Sequence, residues 1–374
     1  MRHPDPAYIF DIGVIGAGLV GAALSYGLAR QGLAVAMLDE ADVAFRSARG
    51  NFGNIWVQGK GAANPAYAVL TLRSADLWPD FARELEELTG IPIHYRRQGG
   101  VCFCYGKEEL DVRARLLGKL RAALHTYDYE ILGSAELQAY MPGVSAAVRG
   151  ASISPYDGDV NPLLLLKALH KGFQTRGGTL LTGVTVAEVK RAGAVFELVV
   201  KSRGATVRCR KVVLAAGLGN APLAAALGET APVHPLRGQI LVTERLEPML
   251  DHTTSIARQT DAGTILIGDS EEEVGFDSGQ TLAVMSTMAE RAVRTFPRLR
   301  SAKVVRGWGC LRVMSPDGLP MYQRFAGAAG GVMLTTCHSG VTLAALHAVD
   351  LPLWVTEQSA FPAIASFSEA RHHA

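Results

Sequence analysis

The tightest constraint on what this chain can fold into lies in its first forty residues. Residues 10–38 read FDIGVIGAGLVGAALSYGLARQGLAVAML and are followed by Asp39 and Glu40. A short apolar run at 12–15 meets Gly16-Ala17-Gly18-Leu19-Val20-Gly21, and an amphipathic stretch continues to Arg30. Gly32 then precedes a second apolar run closed by acid. The order predicts strand, tight turn, helix and strand, a βαβ unit suited to a dinucleotide. Gly16 permits the turn, Gly18 leaves the backbone open to a pyrophosphate, and Gly21 lets the helix approach the strand. The helix N-terminus offers unpaired N–H groups and a partial positive charge to the phosphates. Asp39 stands where a ribose hydroxyl pair is expected. Glu40 is expected to point away, because side chains alternate along a strand.

A chain of 374 residues predicts two domains. Its apolar share of 48% and charged share of 19% suit a globular enzyme. A net charge of +2, with no basic patch interleaved with aromatics, argues against nucleic acid as a partner. The opening MRHPDPAYIF has no cationic apolar leader, so a cytoplasmic location is expected. The longest apolar stretch, 212–227, is interrupted by Gly217, Gly219, Asn220 and Pro222, so no transmembrane segment is expected. Cys102 and Cys104, one residue apart, match neither a redox pair nor zinc ligands, and Cys209, Cys310 and Cys337 stand alone. Reduced, packed thiols and no metal site follow.

Beyond the first unit, residues 47–61 (SARGNFGNIWVQGKG) have neither helical nor strand period. An irregular loop of this length is commonly functional, and its backbone donors and the Ser47 hydroxyl suit a phosphate or ring system. Residues 65–88 predict a helix with a kink or break at Pro79. Residues 93–105 predict paired strands around Gly99-Gly100, and 107–124 a charged helix. A further helix begins near Ser134, read as its cap, and another at Pro162 behind an Asn161 cap. Short strands are expected at 179–189, 195–202 and 206–208. They lead into an apolar strand from Lys211 that ends at Ala216 and Gly217. More strands over 235–268 and a helix over 282–296 precede LRVMSPDGLP and a final strand–turn–helix, with the helix starting near Gly340. Dinucleotide-gripping elements thus sit at the start, middle and end. The expected fold is α/β, a Rossmann-like domain (1–80, 145–230 and 305–374) with an inserted α+β, mostly antiparallel-sheet substrate domain (81–144 and 231–304). The site is expected at their junction. A nicotinamide enzyme would share the first motif but has no need of the second and third.

Taken together, the leading GxGxxG with its acid, VVLAAG, the RGQ strand, LRVMSPDGLP and the C-terminal turn resemble the D-amino-acid oxidase and glycine oxidase superfamily of FAD-dependent oxidoreductases. SARGNFGNIWVQGKG and TTCHSGVTLAALHA are similar to the branch holding the β-subunits of D-hydroxyproline dehydrogenase, opine oxidase and hydrogen cyanide synthase. The resemblance implies non-covalent FAD. Gly16, Gly18, Gly21 and Asp39 would hold its ADP half, with Val186 offering backbone to the adenine. Ser47, Arg49, Asn51 and Gly53 would lie along the pyrophosphate and flavin, and Ala216 and Gly217 would line the cofactor. His338, Ser339, Gly340, Val341 and Thr342 would sit at the pyrimidine end. Arg312 matches the arginine that clamps the substrate carboxylate. Cys310 falls in the stretch where sarcosine-oxidase relatives attach flavin covalently.

A carboxylate buried beside a flavin calls for a permanent, bidentate cation, which agrees with Arg312; Arg237 is the rival. His338 is either a polar contact to flavin or substrate or a histidine that orders the turn. The expected reaction is oxidation of a C–N bond by hydride transfer to flavin N5, giving an imine. D-hydroxyproline or a related D-imino or amino acid is the first substrate expected and opines the second. A non-catalytic electron-relay subunit is the remaining alternative. The resemblance also implies partner subunits with iron–sulfur centres, through which membrane association could arise.

Overall fold

The computed structural model describes residues 8–40, 47, 48, 50–201, 206–358 and 361–367, and the Arg49 expectation lies outside them. The opening unit forms β1 (Ile9–Ile15), α1 (Leu19–Arg30) and β2 (Val35–Asp39). After β3 (Asn54–Ile55) comes α2 (Pro65–Thr89), capped by the Asn64 side chain. Of the kink or break expected at Pro79, the break does not occur: the proline lies inside an uninterrupted α2. Proline frees the carbonyl four residues back, and Arg97 Nη1 donates to that Ala75 carbonyl at 3.2 Å. The chain then forms β4 (Gly100–Cys104), but not the expected hairpin. Gly99 turns the chain at φ +85°, and the backbone of Arg96 pairs with Asp159 instead.

Next come α3 (Lys107–Ala123), β5 (Glu130–Gly133) and α4 (Ser134–Tyr140). Gly133 rather than Ser134 is the cap residue of α4, and the Glu136 carboxylate accepts its N–H at 2.8 Å. Then follow β6 (Gly150–Ser154), β7 (Gly158–Asp159) and α5 (Pro162–Thr175), the last entered through Asn161 and Pro162 as the sequence predicts. The strands β8 (Thr179–Thr182), β9 (Val186–Ala192), β10 (Val195–Val200) and β11 (Thr206–Leu214) come next. Residues 206–208 and the apolar strand from Lys211 are thus one continuous strand. The remainder is α6 (Asn220–Ala225), β12 (His234–Arg245), β13 (Thr253–Thr254), β14 (Ala257–Gln259), β15 (Thr264–Ile267), α7 (Leu282–Thr295), β16 (Val304–Met314), β17 (Met321–Arg324), β18 (Val332–Thr336), α8 (Ala344–Val349) and α9 (Leu351–Val355).

The large sheet pairs β1 in parallel with β2 and β11, β11 with β18, and β2 with β8, with β17 antiparallel at one edge. Strands covered on both faces read as continuous apolar runs, and alternate residues serve two cores. Val14, Met37, Val213 and Met333 share one core with α1, α2, α5 and α8. Leu38, Val212, Leu214 and Leu334 share the other with the β9–β10 hairpin. Two further sheets, β14-β15-β12-β16 and β13-β4-β6-β5, pack with α7 around Val101, Ile153, Ile265 and Phe296. β16 starts near the expected boundary at 305, yet it pairs with β12 along its length; the chain rejoins the large sheet at β17.

Candidate active site

At the first turn each glycine meets a different steric demand. Gly16 has φ +107°, and a Cβ there would lie 2.4 Å from the Ala215 carbonyl oxygen. A Cβ on Gly21 would lie 2.0 Å from the Gly16 carbonyl oxygen. A Cβ on Gly18 would meet nothing within 4 Å, so the chain leaves space where α1 presents its first, intrahelically unpaired N–H groups. Ala17 between them is pinned from both sides. Its N–H donates to Asp39 Oδ2 at 2.7 Å, and its carbonyl accepts from His170 Nε2 at 2.8 Å. Burial lowers the His170 pKa, so the ring is neutral and donates through Nε2. Sequence reasoning missed His170, which sits with Leu166, Leu169 and Phe173 on the apolar stripe of α5. Glu40 is exposed, as strand alternation requires.

The middle segment closes on this turn. The Ala215 N–H donates to the Ile15 carbonyl, and the Ala216 N–H to Asn220 Oδ1, both at 2.8 Å. Gly217 has φ +60°, and a Cβ on it would approach Val313 of β16 at 3.2 Å. Val186 is buried at the start of β9, two residues after Val184, whose N–H donates to the Asp39 carbonyl.

The described residues of 47–61 are held by distant groups and by one local contact. The Ser47 hydroxyl donates to the Leu311 carbonyl at 2.9 Å, and Asn51 Oδ1 accepts the Gly53 N–H at 2.7 Å. Gly53, at φ +93°, has no room for a Cβ beside the Val160 carbonyl. Cys310 packs against Gly50, where a Cβ would lie 1.9 Å from its own. The buried Asp157 accepts the Val57 N–H at 2.6 Å, the Gln58 N–H at 3.2 Å and Gln58 Nε2 at 2.7 Å. Burial raises its pKa to about 6 against the pull of those donors. Asp159, paired across β3–β7 with Asn54 of this loop, holds Arg96 at 3.1 Å and Arg258 at 3.4 Å, and Arg258 Nε donates to the Phe52 carbonyl at 2.7 Å.

The C-terminal turn completes the enclosure. A Cβ on Gly340 would rest 3.6 Å from Leu19 Cβ, so this turn lies against the start of α1. Val341 is buried, Thr342 Oγ1 accepts the Trp56 N–H at 3.1 Å, and the Thr342 carbonyl accepts from Ser74 and Trp78. The regular helix starts at Ala344 rather than near Gly340, because 340–343 form a turn closed by Leu343 N–H to the Ser339 carbonyl. The resulting α8 is only six residues long and carries no dipole argument. The Ser339 hydroxyl contacts Lys60 Nζ at 2.8 Å, Tyr67 Oη at 2.7 Å and His338 Nδ1 at 3.1 Å.

The two candidate arginines differ in their partners. Arg237 is 3% exposed and holds Glu272 through Nη2 at 2.6 Å and Nε at 3.2 Å, while Nη1 takes Asp277 at 2.6 Å. Its fork is filled. Arg312 lies across Gly238, where a Cβ would stand 2.9 Å from Nη2. Its ion pair is one 3.3 Å contact to Glu271, a side chain 69% exposed. The Arg312 charge bears on both Lys60 and His338. Burial, then the Lys60 and Arg312 charges, lower the His338 pKa to about 3. His338 is also reached by solvent, so water moderates that shift, but its direction keeps the imidazole neutral at pH 7. Burial also lowers the Lys60 pKa, to about 8. The loop motif that contains Lys60 gave this residue no role of its own.

Segments 16–21, 215–217 and 339–342 therefore converge. The open space at Gly18, the α1 N-terminus and the Asp39 carboxylate suit the phosphates and ribose of FAD. The polar cluster around Ser339 suits the far end of that elongated molecule. The sequence pattern of the family described as FAD dependent oxidoreductase (DAO) matches residues 11–351. A subunit of the opine oxidase of Agrobacterium tumefaciens is 35% identical, with 98% of this chain and 99% of the relative aligned. The HcnC subunit of the hydrogen cyanide synthase of Pseudomonas aeruginosa is 30% identical over 97% and 96%. The crystal structure of glycine oxidase from Geobacillus kaustophilus superposes with TM-score 0.91 at 24% identity, covering 98% of this chain and 100% of that one.

Proposed function

The chain belongs to the D-amino-acid oxidase family of FAD-dependent oxidoreductases, and on that premise we propose that it oxidises an opine-like substrate, a secondary amine carrying two carboxylates. FAD-dependent oxidation of an amino-acid C–N bond is the activity of the family; the opine is this proposal's addition, supported by the similarity to the opine oxidase polypeptide. The observation that carries the reading is Arg312, a half-buried guanidinium whose one ion pair is with the exposed Glu271 and whose charge reaches Lys60 and His338 beside Ser339.

In this reading Gly16, Gly18, Gly21 and Asp39 hold the ADP half of FAD near Val186, and Ser47, Asn51, Gly53, Ala216 and Gly217 line its middle. Ser339, Gly340, Val341 and Thr342 hold the pyrimidine end. When bound, the flavin supplies the acceptor for the hydride leaving the substrate carbon, and the product imine can hydrolyse. Arg312 fixes a substrate carboxylate bidentately, so orientation is the protein's main contribution. His338, held neutral and weakly basic, does not take the amine proton. The amine must arrive deprotonated, and turnover should rise with pH until that proton is gone. The cofactor-binding part includes the large sheet, and β16, which carries Arg312, is assigned to the substrate part with β12. Because the similar proteins are named as subunits, the proposal includes a partner polypeptide, with iron–sulfur centres, as the electron exit. Among the described residues no helix is long and apolar enough to cross a membrane.

The test is anaerobic bleaching of the flavin band near ~450 nm over a panel of opines, D-hydroxyproline and glycine. Opines should bleach it fastest. Bleaching by D-hydroxyproline alone would transfer the assignment to the cyclic imino acid, and bleaching by none would reject the substrate class.

A further inference from the structure

Lys60 is the cation beside Ser339 that the reaction above leaves without a task. It stands between Gly59 and Gly61, both at φ +82°, just before α2. Its Nζ reaches the neutral Ser339 hydroxyl at 2.8 Å and lies 5.5 Å from the centre of the Tyr67 ring. Among the described residues no carboxylate oxygen comes within 4.0 Å of it. A partly buried ammonium with no carboxylate in contact is unfavourable, and the more distant Asp157 offsets only part of that. The Arg312 charge increases that cost instead of relieving it.

Two cations with spare donors therefore stand near enough for their charges to act on one another, beside a histidine that stays neutral. A ligand with one carboxylate on Arg312 would leave Lys60 uncompensated. A ligand with two carboxylates on the carbons flanking its nitrogen would satisfy both. We infer that Lys60 binds the second carboxylate of the substrate and selects dicarboxylate secondary amines over monocarboxylate ones. This rests on the C–N oxidation reading for the nature of the nitrogen and adds the residue that sets the substrate class.

The experiment uses the FAD-loaded protein and two pairs of probes. Iminodiacetate and N-methylglycine are secondary amines with two carboxylates and one. Glutarate and butyrate are the corresponding pair without nitrogen, which cannot undergo the reaction. Dissociation constants come from calorimetry, and reduction rates from anaerobic bleaching with the amine pair. Wild type should prefer the dicarboxylate in each pair. Lys60→Gln, which keeps an N–H for Ser339, should lose about a hundredfold in dicarboxylate affinity and little for the monocarboxylates. Lys60→Met repeats the test should Lys60→Gln not fold, and Lys60→Arg, which keeps the charge, should retain the preference. Equal losses for both members of a pair would assign Lys60 to the cofactor or the fold and overturn the inference, as would no loss at all. If neither amine bleaches the flavin, the C–N reading fails while the glutarate and butyrate constants still decide the role of Lys60.

Discussion

The two ends of the crevice satisfy their polar groups in opposite ways. Around the first glycine turn the chain completes itself. Ala17 has Asp39 on its N–H and neutral His170 on its carbonyl, and Gly16 and Gly21 fill contacts that admit no side chain. Around Ser339 the chain leaves charge uncompensated. Lys60 bonds only a neutral hydroxyl, Arg312 has a single ion pair with an exposed glutamate, and burial and both cations hold His338 neutral. The first arrangement is a scaffold that keeps its shape whatever is bound. The second is complete only with an anion in place. A site of this kind concentrates binding energy where a substrate supplies the missing charge.

The largest effect expected from this contrast is at Arg312. Arg312→Ala should lower kcat/KM by about 2–5 kcal/mol of transition-state binding, read by steady-state kinetics, with FAD content unchanged. Arg237→Ala should do the reverse, lowering the melting temperature while sparing kcat/KM, because its fork is occupied by Glu272 and Asp277. If Arg237→Ala damaged kinetics and Arg312→Ala only stability, the assignment of the two arginines would have to be exchanged.

The next effect separates shape from binding within the glycine turn. Gly21→Ala drives a Cβ into a backbone carbonyl and should destabilise the protein by ~1–3 kcal/mol. Gly18→Ala meets open space, so its melting temperature without cofactor should match wild type. Its affinity for FAD, measured by fluorescence on titration, should fall about tenfold, or ~1.4 kcal/mol. Equal melting losses in the two variants would mean that the space at Gly18 is structural.

What was readable in the sequence follows the range of the interactions. Gly16, Gly18, Gly21 and Asp39 sit within one βαβ unit, where periodicity and spacing act locally, so their arrangement was legible. The sequence singled out Arg312 through the resemblance and the need for a bidentate cation, with Arg237 as the rival, and only the fold shows that the Arg237 fork is already filled. Lys60 was not legible, because its environment is set by Ser339, 279 residues away. His170 was hidden for the opposite reason: on an apolar helical stripe it reads as core, and only the fold brings Ala17 to it. Asp157 carried no signal in the sequence, since its donors at Val57 and Gln58 lie 99 to 100 residues earlier. That Pro79 leaves α2 unbroken was not readable, because the donor to the Ala75 carbonyl is Arg97, outside the helix.

The smallest effect concerns stability and has an unusual sign. Burial lowers the Lys60 pKa from 10.5 to about 8. Cys337, Asp157, Arg312, His338 and Tyr67 are the titratable groups around it, and burial outweighs the attraction of Asp157 and Cys337. Between pH 8 and pH 10.5 the unfolded chain holds the proton more tightly, so this residue's contribution to stability rises with pH across that window. Below pH 8 both states are protonated and the full penalty applies. Lys60→Met removes the charge and should stabilise the protein at pH 7 by about 1–2 kcal/mol. That figure is discounted for water in the open crevice and for the lost Ser339 bond. The advantage should shrink through the window and vanish near pH 10.5, as read by melting temperatures across pH. A variant that melts below wild type at pH 7, with a gap independent of pH, would show that Lys60 supports the fold. The contrast between a self-sufficient end and an incomplete one would then lose its strongest member. A variant that melts higher while binding dicarboxylates more weakly would identify Lys60 as a charge kept at the expense of stability, which is how functional groups in enclosed sites commonly behave.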